Sequence, residues 1–439
     1  MPPPASSDPV VEAPIPGFWA SLRSARVGLY PLLALWALEL GNGLSQSTLI
    51  VLGPEIARAL GVGLPFIALV TTVQGHSETV ASFLVAGLVQ RRPWRARVAK
   101  LGALTWSVAS LGVGLVPNAA ALAGYGLIDG ATSSTVSTLH SPLLIDVYPG
   151  SVRARILSLQ TGLTQAVAVL PFVFVAVVTG LFGLGWRAVF VVTGVASIAL
   201  CLAARGLRDP GFTTPGGARR SVGRAGQVAQ FLGVLRHLVS MPTGRRMLLF
   251  MFLLGGTAFI GTYLNFEFAQ RQHLTPAARA ILQAFPSVLP IVAPVLLGPF
   301  IERLLRAGVG RPFVLAALME LAGLGLVALL FLVPVLWLAI GALVAVGLVE
   351  VVVVPARTAA FFSVLPSAMR PHALAALGGM AALGGLLGLA ETTLSTRLGL
   401  VTTGLISLAL PGLGALVLAS AGWTADADAR ALEDEGAAT

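Results

Sequence analysis

Three apolar segments in the first third of the chain carry polar and ionisable side chains at helical spacing. They are Glu39, Asn42 and Gln46; then Thr71, Gln74, Glu78 and Ser82; then Asp129, Ser133, Ser137 and His140. Separations of three, four and seven residues place the members of each stripe on one helical face. An ionisable group inside an apolar helix is costly, so it indicates a place where a proton, a cation or a polar solute binds. The alternative for each acid is a hydrogen bond that only holds neighbouring helices together.

Twelve apolar segments, each long enough to cross a bilayer, position these stripes. They are residues 30–52, 66–88, 98–116, 119–144, 156–182, 187–204, 247–268, 281–301, 313–332, 336–362, 374–394 and 398–421. About 20 apolar residues in a helix span a hydrocarbon core of about 30 Å. The chain is 56% hydrophobic and 10% charged, against about 25% charged in soluble domains. The sequence therefore predicts a polytopic, all-α membrane protein that uses the lipid bilayer as its solvent.

The positively charged residues that give the chain its net charge of +10 lie mainly in loops between these segments. Arginines and Lys100 gather in alternate loops, above all near residues 91–100, 205–246 and 303–311. That asymmetry places those loops and both termini in the cytoplasm, because positively charged loops stay inside. The basic charge thus indicates orientation in the cytoplasmic (inner) membrane, and no nucleic-acid partner is predicted.

The central polar stretch divides six spans from six. We predict a cytoplasmic tail at 1–27, an N-terminal six-helix bundle at 28–206, a linker at 207–245, a C-terminal six-helix bundle at 246–422 and a disordered acidic tail at 423–439. The linker contains apolar residues at helical spacing, which favours an amphipathic helix on the membrane face over a simple extension of span seven. Span four and span ten share a short pattern ending in Asp129 and Glu350, which supports two related halves. The single cysteine, Cys201, leaves no disulfide or cysteine metal site.

Three stretches of sequence resemble the major facilitator superfamily of transporters. They are Gly298, Glu302 and Arg303 followed by Gly310 and Arg311; Gly185, Trp186 and Arg187; and the loop from His140 to Pro149 with Arg153 and Arg155. The last stretch is similar to the spinster-like branch and related bacterial members. The resemblance implies two pseudo-symmetric six-helix bundles around a substrate cavity. One departure is that Arg91 and Arg92 stand where the first half should carry an acid.

The same resemblance implies a cytoplasmic gate. Its residues would be Gly298, Glu302, Arg303, Arg153 and Arg155. Glu302 would lie at the start of span five near the two arginines, where an acid also stabilises the helix N-terminus. With Arg91 and Arg92 in the mirror position, closure on this side rests on one acid–base contact instead of two.

The site residues predicted for a substrate or proton pathway come from both halves. They are Glu39, Asn42, Gln46, Gln74, Glu78, Asp129, Ser133, His140, Glu350 and Arg357. Glu350 and Arg357 are separated by seven residues in span ten and share a face, which suggests a buried ion pair. No nucleophile elbow, paired-histidine zinc site or phosphate loop is present, so neither an enzyme nor a cofactor or metal is predicted.

The predicted function is secondary active transport of one small neutral, amphiphilic or cationic molecule per cycle by alternating access. Export is favoured, a proton is the candidate coupling ion, and a monomer is expected. One alternative is a lipid or lysolipid carrier of the spinster-like kind. A second is a non-pumping membrane component, or a transport module that depends on a separate ATPase.

Overall fold

The computed structural model of the chain is a bundle of helices joined by short turns. It describes residues 19, 22–23, 27–89, 94–148, 150–211, 224–333, 335–366 and 369–437. The helices before the linker are α1 (Tyr30–Val51), α2 (Gly53–Leu60), α3 (Leu64–Val89), α4 (Arg95–Gly114), α5 (Ala119–Val147), α6 (Gly150–Gly180) and α7 (Trp186–Ala203). Helix α8 (Arg224–Ser240) lies in the linker. Those after it are α9 (Pro242–Leu254), α10 (Ile260–Gln270), α11 (Pro276–Arg306), α12 (Gly310–Leu332), α13 (Leu336–Ser363), α14 (Arg370–Leu398), α15 (Leu400–Ser407) and α16 (Ala409–Ala437).

Each span predicted from the sequence coincides with one of these helices or with a consecutive pair. By length and apolarity alone, seven segments of the described chain could each cross a membrane, and the bent pair of α2 and α3 makes an eighth. A multi-pass, all-helical membrane protein is thereby confirmed, while the full count of twelve spans stays a prediction. The helix at span seven is interrupted by a 3₁₀ turn at Gly255–Phe259, which separates α9 from α10.

Glycines let helices touch backbone to backbone within each half. In the first half, a Cβ atom at Gly130 of α5 would overlap the carbonyl oxygen of Gln74 on α3. In the second half, a Cβ atom at Gly384 of α14 would overlap the carbonyl oxygen of Phe252 on α9. Small residues are the usual means of close helix packing in membranes. These contacts fix α3 against α5 and α9 against α14.

The apolar cores of the two halves join at one end of the bundle. We name this the seal end; it is where α1 ends, and the opposite, terminal end is where α1 begins. At the seal end, Leu52 and Ile56 share one buried cluster with Phe266 and Phe268 of the second half. At the terminal end, two separate clusters draw their described residues from the first half alone and from the second half alone. Helices α6 and α11, and α3 and α14, pack across the boundary between the halves.

The linker helix and the acidic tail both pack against the terminal end of the second half. Helix α8 forms where the amphipathic helix was predicted, and its Leu238 is buried in the core of that half; its place on the membrane face stays a prediction. The predicted disorder of the tail is wrong through Ala437, because α16 continues to that residue. Asp426 Oδ1 accepts from the Gly310 amide at 3.2 Å, and Asp428 Oδ2 accepts from the Thr243 amide at 2.9 Å. Carboxylates that cap helix N-termini stabilise both partners, so the acidic residues order the tail.

A buried arginine ties together the terminal end of the first half. Arg95, which the charge pattern assigned to a loop, begins α4 and is 5% exposed. Its guanidinium donates to Asp209 Oδ1 at 2.8 Å, to the Gly211 carbonyl at 2.9 Å and to the Asp146 carboxylate at the end of α5. Burial by itself would raise the pKa of Asp209, but the hydrogen bonds and positive charge of Arg95, with the Gly211 amide, hold it below its usual value.

Candidate functional site

The structure brings the three polar stripes of the sequence together in the first half. Asp129 on α5 is 5% exposed, and its Oδ2 accepts a hydrogen bond from Gln74 Nε2 on α3. Its other oxygen, Oδ1, is buried and accepts no hydrogen bond of good geometry, while the Ser45 hydroxyl on α1 lies beside the carboxylate. Ser133 Oγ lies 2.6 Å from Asn42 Oδ1 on α1 and 2.7 Å from the Asp129 carbonyl oxygen. We call Asp129, Gln74, Ser133 and Asn42 the aspartate group.

A second set of polar side chains, which we call the glutamate group, lies nearer the terminal end. Gln160 Nε2 on α6 donates to Glu39 Oε2 on α1 at 2.5 Å. His140 Nδ1 on α5 lies 3.8 Å from the same oxygen, and neither ring nitrogen has a hydrogen-bond partner. Gln160 was missed by the sequence reasoning, although an amide inside an apolar segment was the available signal. The group joins α1, α5 and α6.

Two more predicted residues flank the aspartate group. Glu78 lies one helical turn beyond Gln74 on α3, is half-buried, and acts electrostatically on Asp129. The side chain of Gln46 lies outside the described residues, so its place in the stripe stays a prediction. Negative charge is thus concentrated around Asp129, and α1, α3 and α5 carry no Lys or Arg between their first and last residues.

In the second half, the predicted Glu350–Arg357 ion pair is wrong. Among the described residues no carboxylate lies within ion-pair distance of Arg357, whose guanidinium stacks 5.1 Å from the ring centroid of Phe250 on α9. Seven residues correspond to a rise of about 10 Å along the helix axis. The two side chains do not close that separation to a direct contact. Arg357 instead acts electrostatically on both Glu350 and the buried Glu320 of α12.

The predicted cytoplasmic gate is described in part. The Glu302 side chain is 69% exposed and pairs with Arg306 at 3.6 Å, one turn along its own helix. Arg303 is exposed as well. Gly298 lies within α11, and the side chains of Arg153 and Arg155 are outside the described part of the structure. The contact between Glu302 and those arginines therefore stays a prediction. In this conformation the Glu302 side chain is solvent-exposed beside Arg306.

An ion pair that the sequence did not reveal joins the two halves at the seal end. Arg279 on α11 is fully buried, and its Nη2 donates to Glu55 Oε1 on α2 at 2.5 Å. Its Nη1 also donates to the Asn265 carbonyl oxygen at 3.3 Å. Both residues stand near the ends of apolar segments, so each alone is typical of a solvent-exposed charge. The pairing depends on the contact between the halves, which sequence spacing does not contain.

The fold, two helical halves with polar groups between their helices, agrees with what sequence comparison finds. A sequence model of the Major Facilitator Superfamily matches residues 35–389. The chain belongs to the major facilitator superfamily. The resemblance read from the sequence is thereby confirmed. Among the described residues of this superfamily member, no group of three or more His, Cys, Asp or Glu is placed to hold a metal ion.

Solved transporters of the same fold are similar along most of their length. A bacterial homologue of the human lysosomal transporter Spinster, inward-facing and unoccupied, has a TM-score of 0.70 and 16% identity, covering 91% of this chain and 96% of its own. A point mutant of the nucleoside transporter NupG has a TM-score of 0.69 and 16% identity over 90% and 100%. The peptide transporter POT, in complex with sulfate, has a TM-score of 0.71 and 14% identity over 95% and 97%. No curated protein sequence matches the chain. At these identities the likeness establishes the fold alone.

Proposed function

We propose that this superfamily member is a secondary active transporter that moves one small molecule per cycle by alternating access. The observation that carries the proposal is the unequal contact between the halves. Their apolar cores join at the seal end and stay separate at the terminal end. A carrier must open to one side while it is closed to the other, and packed interfaces of this kind exchange between two discrete arrangements.

The orientation belongs to the same proposal. Twelve spans with both termini in the cytoplasm follow from the arginine distribution. The seal end then faces outward, and the conformation is inward-facing. Arg271 has a side chain 40% exposed at the seal end, so a cysteine in its place should react with an impermeant maleimide added to intact cells. A cysteine replacing Arg219 in the linker should not react, and labelling of position 219 from outside would reverse the orientation.

The proposed substrate is a neutral, amphiphilic or cationic molecule, and export with a proton as coupling ion is our preferred cycle. The support is the acidic character of the first half, where Glu39, Glu78 and Asp129 lie among apolar helices. A phosphate or a dicarboxylate would be repelled by these groups. A lipid or lysolipid carrier remains the second candidate, based on the loop after His140 and not on the 16%-identical Spinster homologue.

The deciding experiment measures flux through the purified chain alone in proteoliposomes. Radiolabelled amines, neutral amphiphiles and lysolipids would each be tested with and without a pH gradient. A carrier moves at least one of them unaided, whereas a module that needs an ATPase moves none. Failure of every candidate in well-folded protein would reject the proposal in favour of the non-pumping alternative.

A crosslinked control makes that experiment specific. Cysteines at the exposed positions Ala59 on α2 and Arg397 on α14, in a Cys201→Ser background, would be joined by a reducible bifunctional maleimide. The crosslink should hold the seal end closed and stop flux, and reduction of the crosslinker should restore the flux. Flux that continues unchanged through the crosslinked protein would contradict alternating access.

A further inference from the structure

The two oxygens of the Asp129 carboxylate have different surroundings. Oδ2 is held by Gln74 Nε2, whereas Oδ1 is buried and accepts no hydrogen bond of good geometry, although the Ser45 hydroxyl on α1 lies beside the carboxylate; the side chain is 5% exposed. The position of the carboxylate is fixed by the close approach of α3 and α5, because Gly130 beside it permits backbone contact with Gln74. Buried carboxylate oxygens normally accept hydrogen bonds, so Oδ1 retains the capacity to accept one from a bound molecule.

A buried carboxylate also needs a compensating charge. Among the described side chains, no Lys or Arg lies within 4 Å of Asp129. Spans one, two and four hold none at all in sequence, and Glu78 adds a second negative charge nearby. An unpaired buried charge is strongly disfavoured, so the charged form of Asp129 needs a partner cation beside it.

The neighbouring groups suit an organic cation better than a metal ion. Hard metal ions need about six oxygen ligands. The described chain places no three or more His, Cys, Asp or Glu side chains together to hold one. Around Asp129 lie the Gln74 amide, the hydroxyls of Ser45 and Ser133, and apolar side chains such as Val70, which packs on Gly126 one turn away. A cation with an apolar body can fill such surroundings, since pockets for small organic ligands combine apolar walls with few polar contacts.

We propose that Asp129 binds the cationic nitrogen of an organic ammonium compound, with Oδ1 as the receiving oxygen and Gln74 holding the carboxylate in place. The inference rests on the proposed transport function and narrows its substrate class. Glu78 contributes negative potential, and Asn42 with Ser133 forms the polar wall on the α1 side. The glutamate group has its own internal hydrogen bond and is not required for this binding.

The test measures binding to the purified protein, without any transport. Choline and benzyltrimethylammonium are the charged probes, because a quaternary nitrogen keeps its charge at every pH. Their uncharged analogues are 3,3-dimethylbutan-1-ol and benzyl alcohol. Calorimetry and thermal unfolding in detergent micelles should detect the charged member of at least one pair, since a ligand that binds the folded state raises its apparent stability.

Variants assign the binding to Asp129. Asp129→Asn should weaken binding of the charged probe about 30-fold or more, as expected when one partner of a buried charge pair is removed. Asp129→Glu should retain the preference for charge. Glu267→Gln is the matched control: it removes another buried carboxylate, paired with Arg271 at the seal end, and should leave binding unchanged. Monodisperse elution of each variant shows that it is folded.

The outcomes separate this inference from the proposed function. Equal binding of charged and uncharged analogues, full binding in Asp129→Asn, or binding of neither charged probe would overturn it, even if the protein transports another molecule. Charge-selective binding that depends on Asp129 in a protein that shows no flux would keep the inference and reject the carrier.

Discussion

Replacing Glu55 by Gln should open the seal end of the protein. The change leaves the guanidinium of Arg279 fully buried and without its counter-charge. Breaking a buried ion pair from one side costs about 3–5 kcal/mol. Glu55 keeps 21% of its side chain exposed, so water screens part of the interaction, and about 2 kcal/mol is a reasonable share. That amount shifts the ratio of sealed to open molecules about 30-fold.

Spin labels across the seal end would report the shift. Nitroxides at Ala59 and Arg397, both exposed and on opposite halves, should give a short distance in the parent protein. The background is Cys201→Ser, which removes the natural thiol. In Glu55→Gln a second, longer distance should gain population. The double variant Glu55→Gln with Arg279→Gln should open less than the sum of the single changes, because the two side chains interact directly.

A matched variant controls for the loss of charge. Arg271→Gln also breaks an ion pair at the seal end, but that pair joins Arg271 to Glu267 one turn away in the same half. It should leave the distance distribution as in the parent. Equal opening in Arg271→Gln, or no change in Glu55→Gln, would show that the cross-half pair does not hold the seal.

Three further predictions concern contacts that hold the helices of each half together. Gly130→Ala should lower the melting temperature because its methyl group would overlap the backbone of the facing helix, whereas Gly124→Ala, with open space around its Cβ, should not. Arg95→Gln should destabilise the protein by about 3 kcal/mol through the loss of a buried pair, measured by thermal unfolding. In the parent, Asp209 has a lowered folded pKa, so its stabilising contribution is complete above the unfolded pKa and is lost as the pH falls through the folded value; the difference between parent and Arg95→Gln should therefore shrink in acid. Asp426→Ala, which removes the acceptor of a helix N-cap, should cost about 1 kcal/mol, measured by thermal unfolding, and an unaltered transition would contradict the capping role.

The spacing of polar residues was enough to single out the four members of the aspartate group, but of the glutamate group it found only Glu39 and His140 and missed Gln160. Helical periodicity places Asn42, Asp129 and Ser133 on the inner faces of their helices, and an apolar environment leaves such side chains only each other as partners. Residues of two different stripes are in contact, because Ser133 Oγ lies 2.6 Å from Asn42 Oδ1. What these side chains do in transport stays a prediction.

Contacts between distant helices could not be predicted in the same way. The pairing of Arg279 with Glu55 joins positions 224 residues apart, and no periodicity connects them. The tail was misjudged for a related reason: acidic composition is typical of disorder, but Asp426 and Asp428 find helix N-termini that only the folded second half presents. Spacing in sequence specifies a helical face, and tertiary packing decides what that face meets.

While the seal end stays closed, its joined core can serve as the hinge between the two halves. If each half turns as a rigid body about that core, displacement grows with distance from it. A rotation of about 10° moves the far end of a span roughly 30 Å long by about 5 Å, enough to admit a small molecule. Substitutions close to the hinge should then act mainly through the energy of closure. Substitutions far from the hinge, near Glu302, should act mainly by changing how wide the opening between the halves becomes.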